Sequence, residues 1–210
     1  MYIRWGKRAL DLLLTIVLVV LLAPVMASVA ILVIFGLGRP VLFWQLRPGR
    51  GSKPFELLKF RTMRDVAGRP LPDAERLTGF GKLLRRTSLD ELPELWNVLR
   101  GDMSLVGPRP LLMRYLPYYT EVERARFLVR PGITGLAQVS GRNDLRWDDR
   151  LALDAAYVSS LCLRTDLRIL ALTALRVLSR HGLQVDPGST MLDLDAERRL
   201  RSMPENGRHA

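Results

Sequence analysis

Between Leu12 and Phe35 the chain runs for 24 residues without an ionisable group, and Thr15 and Ser28 are the only polar side chains in the run. That is membrane length, since a helix needs about 20 apolar residues to cross a bilayer. Three readings compete. A secretory signal would use Arg4, Lys7 and Arg8 as its basic region and Ser28-Val29-Ala30 as its cleavage site. The apolar run continues through Ile31 to Phe35, past the point where a mature protein would begin. The other two readings are a helix that spans the bilayer and one that enters and returns on the same side. Arg4, Lys7 and Arg8 precede the run, while Arg39, Arg47, Arg50 and Lys53 follow it, so both flanks favour the cytoplasmic side. Pro24 removes a helix hydrogen bond near the middle and kinks the helix. Each half is then about 12 residues, or ~18 Å, short of a ~30 Å hydrocarbon core. Because proline is tolerated in kinked spanning helices, pattern alone leaves spanning and re-entrant forms open.

Beyond Gly36-Leu37-Gly38 no apolar run reaches membrane length. The pattern predicts a membrane segment with basic flanks over residues 1–38, one soluble domain over 39–187, and a polar tail, expected to be loose, over 188–210. No internal repeat is present. Val41 to Gln45 and Phe55 to Phe60 read as strands around a turn rich in glycine and proline at Arg47 to Pro54. Thr78 to Leu84, Leu89 to Leu99, Tyr115 to Phe127 and Leu151 to Leu161 read as helices, and Asp65 to Glu75 as a loop. From Asp166 to Leu183 the periodicity predicts a basic amphipathic helix with Leu167, Leu170, Ala171, Ala174, Leu175 and Leu178 on its apolar face. Such a face suits either the lipid headgroup region or the protein's own core.

Composition narrows the chemistry. The 210 residues carry a net charge of +11, and Lys7, Lys53, Lys59 and Lys82 are the only lysines among 32 basic residues. Arginine's planar fork suits phosphate, although a GC-rich genome gives the same bias. One cysteine, Cys162, rules out an internal disulfide. Two histidines, His181 and His209, argue against a Cys/His zinc site and leave a serine nucleophile few candidates for its usual base. Any acid, base or nucleophile is then expected to be a carboxylate.

The densest polar cluster is Arg85 to Leu95, which reads as a helix start. Ser88 with Glu91 fits a capping box, or Asp90 serves as N-cap with Pro93 in the first turn. Either register sets Asp90 and Glu91 at the positive end of the helix, which favours ionised carboxylates and bound anions; plain capping is the bland reading. In Gly107-Pro108-Arg109-Pro110, Pro108 and Pro110 fix the backbone around one arginine and so aim it. Lys59-Phe60-Arg61-Thr62-Met63 sets cations beside a predicted strand. Arg130 to Asn143 is rich in glycine with a cation at each end, and such a loop can cradle phosphate. Each motif taken singly also has a structural reading.

Taken together, Lys7 to Asp11, Lys59 to Met63, Ser88 to Ser104, Gly107 to Pro110 and Arg130 to Asn143 resemble the bacterial sugar transferase family, the monotopic phosphoglycosyl transferases that start polyprenyl-linked glycan assembly. The likeness covers roughly Arg4 to Pro187, in the manner of the short members. It implies an α+β fold: an N-terminal re-entrant helix-break-helix, a small, mostly helical cytosolic catalytic domain, and interfacial amphipathic helices. It implies transfer of a phosphosugar from a UDP-sugar to polyprenol (undecaprenyl) phosphate, with release of UMP, at the cytoplasmic face of the bacterial inner membrane. By that likeness Asp90 is the nucleophile and Glu91 the ligand of magnesium. Lys59, Arg61, Arg85, Pro108, Arg109, Pro110 and Arg142 surround the substrate phosphates. Where many members have Ser-Pro at the membrane break, this chain has Ala23-Pro24, so no hydroxyl is expected there to satisfy a freed carbonyl. The expected partners are the donor, the acceptor lipid and the bilayer, not nucleic acid, with room for a homodimer. The rival readings are a non-catalytic, membrane-tethered basic adaptor and a single-pass hydrolase of lipid diphosphates.

Overall fold

The computed structural model describes residues 2–64, 73–141, 145–179 and 192–202. Arg142, both histidines, most of the 65–75 loop, the end of the predicted amphipathic helix and the 187/188 boundary lie outside the described residues. A π-helical turn, Tyr2–Gly6, leads into helix α1, Lys7–Leu37. Pro24 lies inside α1 without ending it, so the expected helix-break-helix is one continuous helical element of ~46 Å at 1.5 Å per residue. Ala23 brings no hydroxyl, but Ser28 Oγ donates to the Pro24 carbonyl at 2.8 Å. This is a side-chain bond to the carbonyl four residues back, of the kind that bends helices, whereas the carbonyl freed by the missing Pro24 N–H is that of Val20.

One edge of α1 is laid along the rest of the protein. Asp11 and Thr15 near its start, and Val29 and Val33 near its end, are buried. Leu14, Val19 and Leu22 pack on a core built around Leu95, Val98, Leu105 and Tyr157. Met26, Ala30 and Leu37 pack with Phe60 and Leu84 in another. The opposite edge presents Leu13, Ile16, Val20, Leu21, Ile31, Leu32 and Phe35 outward. Both ends are tied down by polar contacts. Asp11 accepts from Ser104 Oγ at 2.8 Å and the Leu105 amide at 3.1 Å. Arg8 donates to the Val98 and Leu99 carbonyls at 2.6 and 3.0 Å. At the far end the buried Arg61 guanidinium donates to the carbonyls of Leu37, Gly38 and Arg39. Arg61 thus closes the last turn of α1, where carbonyls have no helical partner.

Strands β1, Leu42–Pro48, and β2, Pro54–Phe60, form an antiparallel hairpin with Phe43 opposite Lys59 and Arg47 opposite Phe55. The short helix α2, Asp73–Arg76, precedes α3, Gly79–Thr87, which Thr78 caps by accepting from the Gly81 amide at 3.0 Å. A 3₁₀ turn, Leu89–Glu91, then runs into α4, Glu94–Arg100. The capping box and the Asp90 N-cap are both absent: Pro93 holds the N-cap position and Ser88 makes no side-chain cap bond. Strand β3, Ser104–Val106, pairs in parallel with β4, Gly132–Thr134, as a second small sheet. The predicted helix from Tyr115 to Phe127 is instead two 3₁₀ stretches, Met113–Tyr118 and Glu123–Leu128. Pro117 and the β-branched Thr120 and Val122 disfavour an α-helix there.

Three longer elements close the fold, after the short α5, Leu136–Ser140: α6, Trp147–Ser159; α7, Leu163–Ser179; and α8, Leu194–Ser202. In α7 the buried side is Asp166, Ile169 and their neighbours, while Leu167, Ala171, Ala174 and Leu175 face outward. The core reading of that apolar stripe fails because Asp166, only 1% exposed, is drawn inward by Lys7 at 2.8 Å and by the hydroxyls of Tyr157 and Tyr2 at 2.7 and 2.5 Å. Part of the expected loose tail is folded. Leu194 is buried against Leu111 and Trp147, and Arg198 pairs with Glu123 at 2.5 Å and Asp148 at 2.9 Å.

Candidate active site

Local chain geometry brings the carboxylates to one place. Ser88 adopts the left-handed conformation at φ 56°, turning the chain from the end of α3 into the 3₁₀ turn that carries Asp90 and Glu91. Such a conformation costs a non-glycine residue free energy and is held by its surroundings. At Gly81 a Cβ would stand 1.9 Å from the Thr62 carbonyl oxygen, so only glycine lets α3 pack this tightly on the chain after β2. That contact sets Arg85 where its Nε donates to Thr62 Oγ1 at 3.0 Å.

From β2, Lys59 reaches Glu91 Oε1 at 2.8 Å and Glu94 Oε1 at 3.1 Å. From the segment after β3, Arg109 reaches the same Glu91 oxygen at 2.5 Å. Pro108 and Pro110 are buried on either side of Arg109. Their loop is pinned by Gly107 N to Thr134 O at 2.8 Å and Gly132 N to Pro108 O at 3.0 Å. A Cβ at Gly132 would stand 2.0 Å from Gly107 N. Gly132 therefore permits close strand packing, with its amide spent on the Pro108 carbonyl. Arg130 itself donates to the Gly101 carbonyl at 2.8 Å, joining Arg8 at the end of α4.

The charges sort the three acids. Burial raises the Glu91 carboxyl, but Arg109 and Lys59 outweigh it and hold the group well below the usual carboxylate range. Burial lifts Glu94 to about 7, with Glu91 adding to the rise and Lys59 opposing it. Asp90 is raised by burial and by Glu91, against Lys59, Arg109 and Arg85. Burial would lower Lys59, yet Glu94 and Glu91 leave it raised. The result is one carboxylate fixed as an anion by two cations, beside a buried one, Asp90, made more basic.

The structure brings together Asp90, Glu91, Lys59 and Arg109, with Arg85 near enough to act on Asp90. Arg61 donates to the carbonyls at the end of α1. Glu94, which the sequence reading passed over, belongs to the group through Lys59. Its only signal was a spacing of three from Glu91, which places two acids on one helix face. No cluster of three or more His, Cys, Asp or Glu side chains suited to a metal occurs among the described residues. Two adjacent carboxylates nevertheless match the way magnesium is held, by one or two acids together with substrate phosphates.

A cleft beside Arg109 is lined by Pro48, Gly49, Pro108, Pro110, Arg126 and Pro131, among others. Arg126 is buried and pairs with Asp154 at 3.0 Å.

Comparison with known proteins agrees with the motifs. The family model described as bacterial sugar transferase matches residues 2–180. An uncharacterized sugar transferase of Bacillus subtilis, EpsL, is 50% identical over 181 residues, which cover 85% of this chain and 90% of the relative. A Caulobacter vibrioides protein named UDP-glucose:undecaprenyl-phosphate glucose-1-phosphate transferase is 42% identical, over 80% of this chain and 67% of its own. The undecaprenyl-phosphate galactose phosphotransferase of Salmonella typhimurium is 39% identical over 85% of this chain, but the match spans only 42% of that protein. With a family match over most of its length and a relative 50% identical over 181 residues, the chain belongs to the bacterial sugar transferase family.

Proposed function

We propose that the protein is a phosphoglycosyl transferase that moves a phosphosugar from a UDP-sugar to polyprenol phosphate, giving polyprenyl diphosphate sugar and UMP. The observation that carries this reading is the buried Asp90 beside Glu91, whose carboxylate is clamped between Lys59 and Arg109. A diphosphate repels an anionic nucleophile, so attack needs cations placed around the phosphoryl oxygens. Asp90 Oδ attacks the sugar-bearing phosphorus, the bond from that phosphorus to the bridging oxygen breaks, and UMP leaves with the electron pair. A phosphate oxygen of the lipid then attacks the same phosphorus and returns Asp90 as a carboxylate. Splitting the transfer this way separates a soluble donor from a membrane-bound acceptor. Burial makes Asp90 a more basic nucleophile, while Lys59, Arg109 and Arg85 oppose that rise. Glu91 would hold magnesium, which when bound would neutralise phosphoryl charge.

The apolar outer edge of α1 and the outward stripe of α7 support a protein seated in one leaflet from the cytoplasmic side. Both ends of α1 are bonded to the same folded body, which supports entry and return on one face of the bilayer. Test: purified protein with magnesium and labelled UDP-sugar, without acceptor, releases UMP and retains labelled phosphosugar, and Asp90→Asn does neither. UMP release without retained label, in a protein that still completes transfer, overturns the covalent route in favour of direct attack by the lipid phosphate.

A further inference from the structure

We propose that Arg47 is a phosphate-binding residue of this site, its guanidinium taking a phosphoryl oxygen of a substrate from the hairpin wall. The inference rests on the transferase reading above and adds a residue that the family motifs around Asp90 do not single out.

Strand register comes first. Residues directly opposite each other in an antiparallel pair point their side chains to the same face. Arg47 faces Phe55, Gln45 faces Leu57, and Phe43 faces Lys59. Arg47 and Gln45 therefore share the face from which Lys59 reaches Glu91 and Glu94, and the burial of Phe55 and Leu57 marks that face as inward. The alternate residues Trp44 and Leu46 are exposed on the other face. The chain just after Arg47, Pro48 and Gly49, forms a wall of the cleft that Arg109 and Arg126 also line.

Arg47 is also held and unspent. One of its terminal nitrogens donates to Gln45 Oε1 at 2.6 Å, which orients the side chain along the strand. Its Nε is buried without a hydrogen-bond partner, and no carboxylate pairs with it among the described residues. Burial, and then the charge of Arg109, lower its pKa to about 10, against the pull of Glu94. It stays charged at neutral pH. A half-buried cation beside a second cation, with a free donor, is costly until an anion arrives. Arginine's fork suits phosphate, and the site must receive two phosphate-bearing substrates in turn.

The experiment compares native protein with Arg47→Gln and Arg47→Lys, each confirmed as folded by its thermal transition. UMP release without acceptor reads the donor step, and full turnover against polyprenol phosphate concentration reads the acceptor step. A rise of about 10- to 100-fold in KM for one substrate in Arg47→Gln, partly recovered by Arg47→Lys, is expected. A KM change in UMP release assigns the donor; a change confined to turnover assigns the lipid phosphate. Unchanged KM for both in folded Arg47→Gln overturns the proposal. If native protein releases no UMP, the transferase reading has failed separately, and pyrophosphate binding by calorimetry then decides: weaker binding to Arg47→Gln upholds the phosphate site, and equal binding rejects it.

Discussion

Lys59 Nζ stands 3.1 Å from Glu94 Oε1, and that carboxylate is only 2% exposed. Burial lifts the Glu94 pKa to about 7 against that contact, and the sign of a pH dependence follows. An unfolded glutamate titrates near ~4.3. Between those values the folded state holds a proton that the unfolded state has lost, so stability falls as pH rises through the window. Asp154, raised to about 6 by burial, contributes in the same direction over the lower part of it. Glu94→Gln removes its own contribution and leaves that of Asp154. Melting temperature measured from pH 5 to 8 is therefore expected to decline less steeply in Glu94→Gln than in the native protein; parallel curves would refute the assignment.

Arg109 and Glu91 predict a different outcome. The Arg109 side chain is 41% exposed, so its removal leaves no large void, but Glu91 loses the stronger of two cations that keep it ionised. Arg109→Ala is expected to stay folded and to lose about 100- to 1000-fold in transfer rate, in keeping with loss of one preorganised donor at a phosphoryl site. Arg109→Lys should recover part of that. Initial rates of UMP release with melting curves alongside check both; a wild-type rate in Arg109→Ala would remove Arg109 from the site.

Much of this arrangement was legible in the sequence, for physical reasons. The uncharged run from Leu12 to Phe35 marked the membrane segment, though not that α1 continues through Pro24, and alternation with a turn between Arg47 and Pro54 gave the hairpin that carries Lys59. Asp90, Glu91 and Arg109 stood in dense motifs. What stayed hidden depends on contacts distant in sequence. Nothing local to Arg61 or Arg130 shows that a helix end lies beside it. Glu94 carried no sign of its role, because its partner Lys59 lies on a strand 35 residues earlier. The inward face of α7 is chosen by Asp166 meeting Lys7, a contact across 159 residues. Strands β3 and β4, at three residues each, are too short for a period to show.

Arg61 closes α1 through three carbonyls, those of Leu37, Gly38 and Arg39. Arg61→Met should leave those carbonyls buried without a donor and lower stability by about 3 kcal/mol. Because the loss is structural, KM for both substrates should hold at temperatures where the variant is folded. Denaturant unfolding in detergent, together with KM, tests this. A raised KM at unchanged stability would return Arg61 to the substrate.

Gly132 and Gly51 make a matched pair for the close approach behind Arg109. A Cβ at Gly132 meets Gly107 N at 2.0 Å and Thr134 O at 2.5 Å, both backbone atoms that cannot swing aside. A Cβ at Gly51 meets nothing, although its φ of +65° disfavours other residues. Gly132→Ala is expected to cost at least about 2 kcal/mol and to displace the Arg109 loop, reducing activity as well. Gly51→Ala should cost about 1 kcal/mol with activity intact. Unfolding midpoints and UMP release in both variants check the ordering, and equal costs would mean that the strand contact at Gly107 is not tight.

The proposed membrane arrangement rests on what each end of α1 touches. Arg8 binds carbonyls at the end of α4 and Arg61 closes the last turn of α1, so a spanning geometry would have to carry one of these contacts across the bilayer or break it. Breaking either leaves buried carbonyls and a guanidinium unpaired, at a cost of several kcal/mol. Entry from one side leaves both intact and still gives lipid the edge formed by Leu13, Ile16, Val20 and Phe35. In a Cys162→Ser background, cysteines introduced singly at the exposed Arg4 and Arg50 should both react with an impermeant maleimide in inverted membrane vesicles, and neither in intact spheroplasts. Labelling of Arg4→Cys only from the outer face, with Arg50→Cys only from the inner, would establish a spanning helix instead.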